Sequence, residues 1–188
     1  MIEDPDLSHR APDLLQRPAA LAQIDVSMRN PVWRSPDLDA EALCRQAVND
    51  TLSAIGSGCA MLEISVVLGD DELLQHLNHE ARGFDRPTNV LAFPGDPPGD
   101  SLPDGAPRLL GDIVLSHETI AKEARQQDKP FENHLRHMVV HGFLHLLGYG
   151  HETETEAQTM EGLETTILAG MEIPDPYESD SRPTSEPV

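Results

Sequence analysis

The chain has 188 residues, 38% of them hydrophobic, which suffices for one domain with a core of its own and is too little for two. Its 33 acidic against 13 basic side chains leave a net charge of -20, which excludes generic electrostatic binding to nucleic acid. The ends do not account for the imbalance: residues 1–20 and 173–188 hold eight acids and three bases, leaving 25 against 10 in the middle, so any nucleic-acid contact requires a local basic patch.

Residues 1–22 carry Pro5, Pro12 and Pro18 with scattered charge and no period, and are expected to form a disordered tail. They hold no basic segment followed by an apolar run, and no stretch approaches the length of a membrane span, so a soluble, cytoplasmic protein without a membrane partner is expected. A strand is predicted at IDVSM from Ile24. An amphipathic helix over 39–55 follows, with Ala40, Leu43, Cys44, Ala47, Val48, Leu52 and Ile55 at helical spacing. Cys44 and Cys59 fit neither a CxxC metal pair nor a disulfide framework and read as two free thiols. MLEISVVLG from Met61 alternates as a strand, and Asp70 and Asp71 are placed to cap a helix through Leu73, Leu74 and Leu77.

NVLAF from Asn89 predicts a third strand and LLGDIVLS from Leu109 a fourth, joined by a Pro/Gly/Asp-rich loop over 95–107 of the kind that is mobile or rims a site. Asn89 and Asp112 are expected to serve turn or ladder hydrogen bonds. Helices over 117–127 and 131–147 are separated by DKP. The last helix opens with Thr153 and Glu156 at capping-box spacing and carries Met160, Leu163, Ile167 and Met171 as its apolar stripe. Residues 173–188, rich in Pro, Ser and acid, are expected to be a second disordered tail, leaving one domain over 23–172. The order βαβαββααα without internal repeat predicts an α+β domain: one small mixed sheet of about four strands packed with about five helices.

The chemistry concentrates in HGFLHLLGYGH, residues 141–151. His141 and His145 are four apart and share one helix face, and Gly148 can take the left-handed conformation that turns the chain and returns His151 to the same ion. Three imidazoles with an open fourth position are the ligand set of a catalytic zinc. The pattern HxxxHxxGxxH differs from the metzincin protease signature at residue 142, where Gly replaces the Glu that acts as general base, which counts against proteolysis. His137 and His134, on the same helix, are assigned supporting roles around the ligands.

These residues resemble the bacterial YbeY family of rRNA maturation factors and endoribonucleases. The resemblance rests on LNHEARGFDRPTNVLAFP (77–94), LLGDIVLS (109–116), HMVVHGFLHLLGYGH (137–151) and the closing DPY, and spans residues 24–177. It implies a zinc-dependent, single-strand-specific endoribonuclease acting in 3′-end maturation of small-subunit rRNA and in ribosome quality control. Its partners would be the small ribosomal subunit and assembly-factor proteins. It also implies one Zn2+ held by His141, His145 and His151, with His141 and Arg82 as the catalytic residues. Arg82 falls on the family's RG segment, and a guanidinium suits bidentate binding of phosphate. The chain departs from the family at Gly150, where Asp commonly precedes the third histidine, and at His79, Ala81 and Ala92.

The expected reaction is attack on a phosphodiester by a water whose pKa zinc lowers from about 15.7 towards ~7, or by the RNA's own 2′-hydroxyl with the metal as Lewis acid. Arg86, Arg125, Lys129 and Arg136 are candidates for the basic patch. Two other readings are a non-catalytic ribosome assembly factor with a structural zinc and a metal hydrolase of another substrate.

Overall fold

The computed structural model describes residues 22–56, 61–96, 103 and 106–178. Cys59, residues 1–21 and 179–188, and most of the 95–107 loop lie outside the described residues. Among the described residues, four strands and five α-helices follow in the predicted order: β1 (Ala22–Met28), α1 (Ala40–Ile55), β2 (Leu62–Gly69), α2 (Asp71–Arg82), β3 (Val90–Pro94), β4 (Arg108–Ser116), α3 (His117–Gln126), α4 (Phe131–Leu146) and α5 (Glu154–Gly170). The sheet order is β1-β2-β4-β3, with β1, β2 and β4 parallel and β3 antiparallel on the edge. Parallel neighbours need crossovers, and α1 supplies the one between β1 and β2. The fold is α+β with a mixed sheet, as the element order implies.

Alternation along β2 divides the core. Leu62, Ile64, Val66 and Leu68 face a cluster with Cys44 and Val48 of α1 and Leu135, Val139 and Phe143 of α4. Val67 faces the opposite side, with Leu74 of α2, Leu91 and Val114. Trp33, in a short 3-10 turn after β1, is fully buried and donates from Nε1 to the Gly69 carbonyl at 2.8 Å, tying the β1–α1 connection to the end of β2.

Helix α4 lies between two apolar surfaces. One side meets the sheet through Val139 and Phe143, while Val140 and Leu144 meet Met160, Ile167 and Leu168 of α5. Burial on both sides explains the apolar runs over 138–140 and 142–144 in its sequence. At Gly142 the helix lies close against the sheet: an added Cβ would stand 2.9 Å from Ile113 Cγ2 and 3.1 Å from Val90 Cγ2. Position 142 therefore faces the sheet, and a glutamate there would have no room.

The packed chain continues beyond the boundary expected at residue 172. Ile173 is buried in the α4–α5 cluster and the Tyr177 hydroxyl reaches a side chain of α5, so residues 173–178 pack as part of the domain. At the other end Ala22 already pairs with Leu62. Proline and acid content predict a tail there, but the buried Ile173 and the Tyr177 hydroxyl anchor residues 173–178.

Candidate metal centre

Two features of local structure place the histidines. His141 and His145 lie one turn apart on α4, and the helix ends in a Schellman turn: Tyr149 N–H donates to the Leu144 carbonyl at 3.1 Å and Gly148 N–H to the His145 carbonyl at 3.0 Å. Gly148 has φ +88°, the left-handed conformation this turn requires. Tyr149 packs against the cluster that contains Leu144, completing the motif's apolar contact. The reversal brings His151 back, and potential ligand atoms of His141, His145 and His151 all lie within 4.8 Å of one another.

The rings are aimed as well as gathered. His145 Nδ1 is 3.0 Å from the Tyr149 carbonyl, which can only accept, so Nδ1 carries the proton. His141 Nδ1 is 2.8 Å from Glu164 Oε1, an ionised carboxylate that fixes the same tautomer. Both Nε2 lone pairs are thereby left bare, and they face one another at 3.0 Å. Two bare lone pairs at that distance repel unless a cation lies between them. The donor set therefore fits a divalent metal held through Nε2 of His141 and His145, with His151 as third ligand. His151 is exposed, so the cluster opens to solvent on one side.

Glu164 is the residue that reading the sequence alone missed. It comes from α5, is fully buried, and accepts from His137 Nε2 at 2.9 Å, from His141 Nδ1 at 2.8 Å and from the Tyr177 hydroxyl. Burial opposes its ionisation, but the hydrogen bonds from His137, His141 and Tyr177 outweigh it and hold the carboxyl down at about 2. The same contacts push the Tyr177 hydroxyl up, with burial leading and the Glu164 charge adding to it. Burial, helped by the neighbouring His141, holds His145 down to about 4, so the ring is neutral and ready to bind a metal at neutral pH. The signal for Glu164 was an acid inside the α5 apolar stripe, at 160, 164, 167 and 168.

The supporting roles assigned to His137 and His134 match their contacts. His137 holds Glu164, while His134, 3% exposed, places Nε2 2.8 Å from Glu123. Asn89 also reaches Glu123, donating from Nδ2 at 3.0 Å while its Oδ1 accepts from the Val90 amide. Arg82 is the exposed last residue of α2, and its charge is the smallest of the influences that hold His145 down. The four candidate basic residues separate. Lys129 donates to the Pro176 carbonyl, Arg136 to Gln46 and Arg86 lies over the Phe84 ring, whereas Arg125 is on α3.

A family model described as Endoribonuclease YbeY matches residues 29–172. The chain belongs to that family. An Endoribonuclease YbeY of Rhodopseudomonas palustris (strain BisA53) is 46% identical over 156 residues, 83% of this chain and 90% of that protein. One from Nitrobacter hamburgensis is 44% identical over 164 residues, 87% and 86% of the two chains. A solution structure of a Thermotoga maritima protein overlaps with a TM-score of 0.48 at 20% identity, covering 88% of this chain and all of that one. YbeY endoribonucleases are hydrolases of RNA phosphodiester bonds, and the three-histidine cluster lies inside the matched residues. Among the described residues no helix is long and apolar enough to cross a membrane.

Proposed function

We propose that this chain is a zinc-dependent, single-strand-specific endoribonuclease that matures the 3′ end of small-subunit rRNA and acts in ribosome quality control, with the small subunit and assembly factors as partners. The observation that carries the reading is the pair of tautomer-fixed imidazoles whose Nε2 atoms converge. A zinc ion held by His141, His145 and His151 would supply Lewis acidity, acidifying a water towards ~7 and drawing charge from a phosphoryl oxygen.

The chain's own residues do the rest. His141, His145 and His151 hold the site, and the Tyr149 carbonyl and Glu164 keep the first two rings in register. Glu164 acts on the far side of His141 and does not take the place of the family's Asp before the third histidine. Arg82, exposed at the end of α2, would bind the non-bridging oxygens of the scissile phosphate and stabilise the charge that builds there, as its match to the family's RG segment implies. The exposure of His151 favours an open catalytic site over a closed structural one.

The test is cleavage of a labelled single-stranded rRNA fragment, beside the same sequence in a duplex, by wild type, His141→Ala and Arg82→Ala. Wild type is expected to cut only the single strand, His141→Ala to lose metal and activity together, and Arg82→Ala to keep the metal and lose about 10²–10³ in kcat. Zinc lost from His141→Ala with no RNA cut by wild type would instead assign the metal a structural role in an assembly factor.

A further inference from the structure

Phe84 is 55% exposed, the most exposed large hydrophobic side chain among the described residues. It stands two residues beyond Arg82, which puts the two Cα atoms within about 7 Å. The segment that carries it is fastened from α2: the buried Asn78 donates from Nδ2 to the Arg86 carbonyl at 2.8 Å, and Gln75 donates to Asp85 at 2.7 Å. The Arg86 amide closes a tight turn onto the Phe84 carbonyl at 3.0 Å. The Arg86 guanidinium lies over the ring, with Cζ 5.7 Å from its centroid. An aromatic ring is thus held out to solvent on a fixed loop, backed by the Arg86 guanidinium and two residues along the chain from Arg82.

We propose that Phe84 is a stacking platform for an unpaired nucleobase of the RNA, next to the phosphate bound by Arg82, with Arg86 backing the ring. The inference rests on the ribonuclease reading and deepens it. A cation over one face of an exposed aromatic side chain, with a second arginine two residues along the chain, suits a nucleotide, which offers a π-face and a negative phosphate together. An apolar protein partner would need a wider surface, and the other exposed large hydrophobics, Val32, Met61 and Leu109, lie outside this loop. Paired bases have their faces covered, so a stacking site of this kind selects single strands and tolerates any sequence. The site also answers the charge problem: on a chain of net charge -20, two arginines and a ring form a small local patch where an RNA strand can lie.

The test uses the metal-loaded full chain, single-stranded RNA oligonucleotides, and the same oligonucleotides with one abasic nucleotide stepped along the strand. Phe84→Leu keeps apolar bulk at an exposed position and removes the π-face. It is expected to raise KM about tenfold with kcat within about twofold. Phe84→Trp is expected to restore KM, and the new indole to lose fluorescence on adding RNA against the background of the buried Trp33. An abasic nucleotide at one position should cost wild type the same factor and cost Phe84→Leu nothing more. An unchanged KM in Phe84→Leu, a loss confined to kcat, or an equal abasic penalty in both proteins overturns the stacking site while wild-type cleavage leaves the ribonuclease reading intact. Wild type that neither binds nor cuts RNA overturns both.

Discussion

The two sides of helix α4 are buried by different means. Towards the sheet the contact is apolar and tight, with Val139 and Phe143 packed around Gly142 and Ile113. Towards α5 the seam includes a fully buried carboxylate with three polar neighbours, His137, His141 and Tyr177. The sheet side fixes where the helix sits, through shape. The α5 side fixes where the imidazoles point, through hydrogen bonds, and its carboxylate must keep its partners because a buried charge left without them is costly.

Breaking the polar seam should have the largest effect. Glu164→Ala strands three polar groups and is expected to cost about 3–5 kcal/mol in urea unfolding. The isosteric Glu164→Gln should keep the fold and weaken zinc binding about 10–100-fold, measured by competition with a chelator. Unchanged affinity in Glu164→Gln would show that the carboxylate serves packing alone.

On the sheet side, Gly142→Ala pushes a methyl group against Ile113 and Val90 and is expected to cost about 1–3 kcal/mol in the same unfolding measurement. Because His141 and His145 are on other faces of the helix, zinc stoichiometry should remain as in wild type. A smaller effect is expected at the α5 capping box, where Thr153 accepts from the Glu156 amide and Glu156 from that of Thr153. Thr153→Ala should cost about 1 kcal/mol, read as a shift of the urea midpoint.

The two sides should also respond to opposite ends of the pH scale in metal-free protein. Glu164 is held at about 2 against an ordinary 4.5, so its contribution is full above 4.5 and lost as pH falls towards 2. Cys44, buried in the apolar cluster, is pushed by burial from 9.0 up to about 12, so its contribution is full below 9.0 and lost as pH rises towards 12. Unfolding free energy measured against pH should flatten at the acid end in Glu164→Gln and at the alkaline end in Cys44→Ala. The reverse assignment would contradict the division.

Much of this was legible in the sequence because it is local. Apolar spacing gave α1 and α4, alternation gave β2, and Thr153 with Glu156 marked the start of α5. The metal cluster was legible because His141, His145 and His151 are joined by one helix turn and one glycine reversal. Glu164 was not, because α5 also carries Glu154, Glu156 and Glu161, and only the packing of α5 on α4 decides which glutamate is buried. Tyr177 was visible in the closing DPY, but its contact with Glu164 was not, because the composition of 173–188 reads as a tail. Phe84 was visible as a residue, but its exposure depends on how the loop after α2 is fastened.

The decisive measurement is X-ray absorption at the zinc edge on purified, metal-loaded protein, with the metal content determined on the same sample. About one zinc per chain, with three imidazole nitrogens at about 2.0–2.1 Å and one oxygen ligand that the protein does not supply, is the expected result. No bound zinc, or a zinc closed by four protein ligands, would contradict an open site built by His141, His145 and His151.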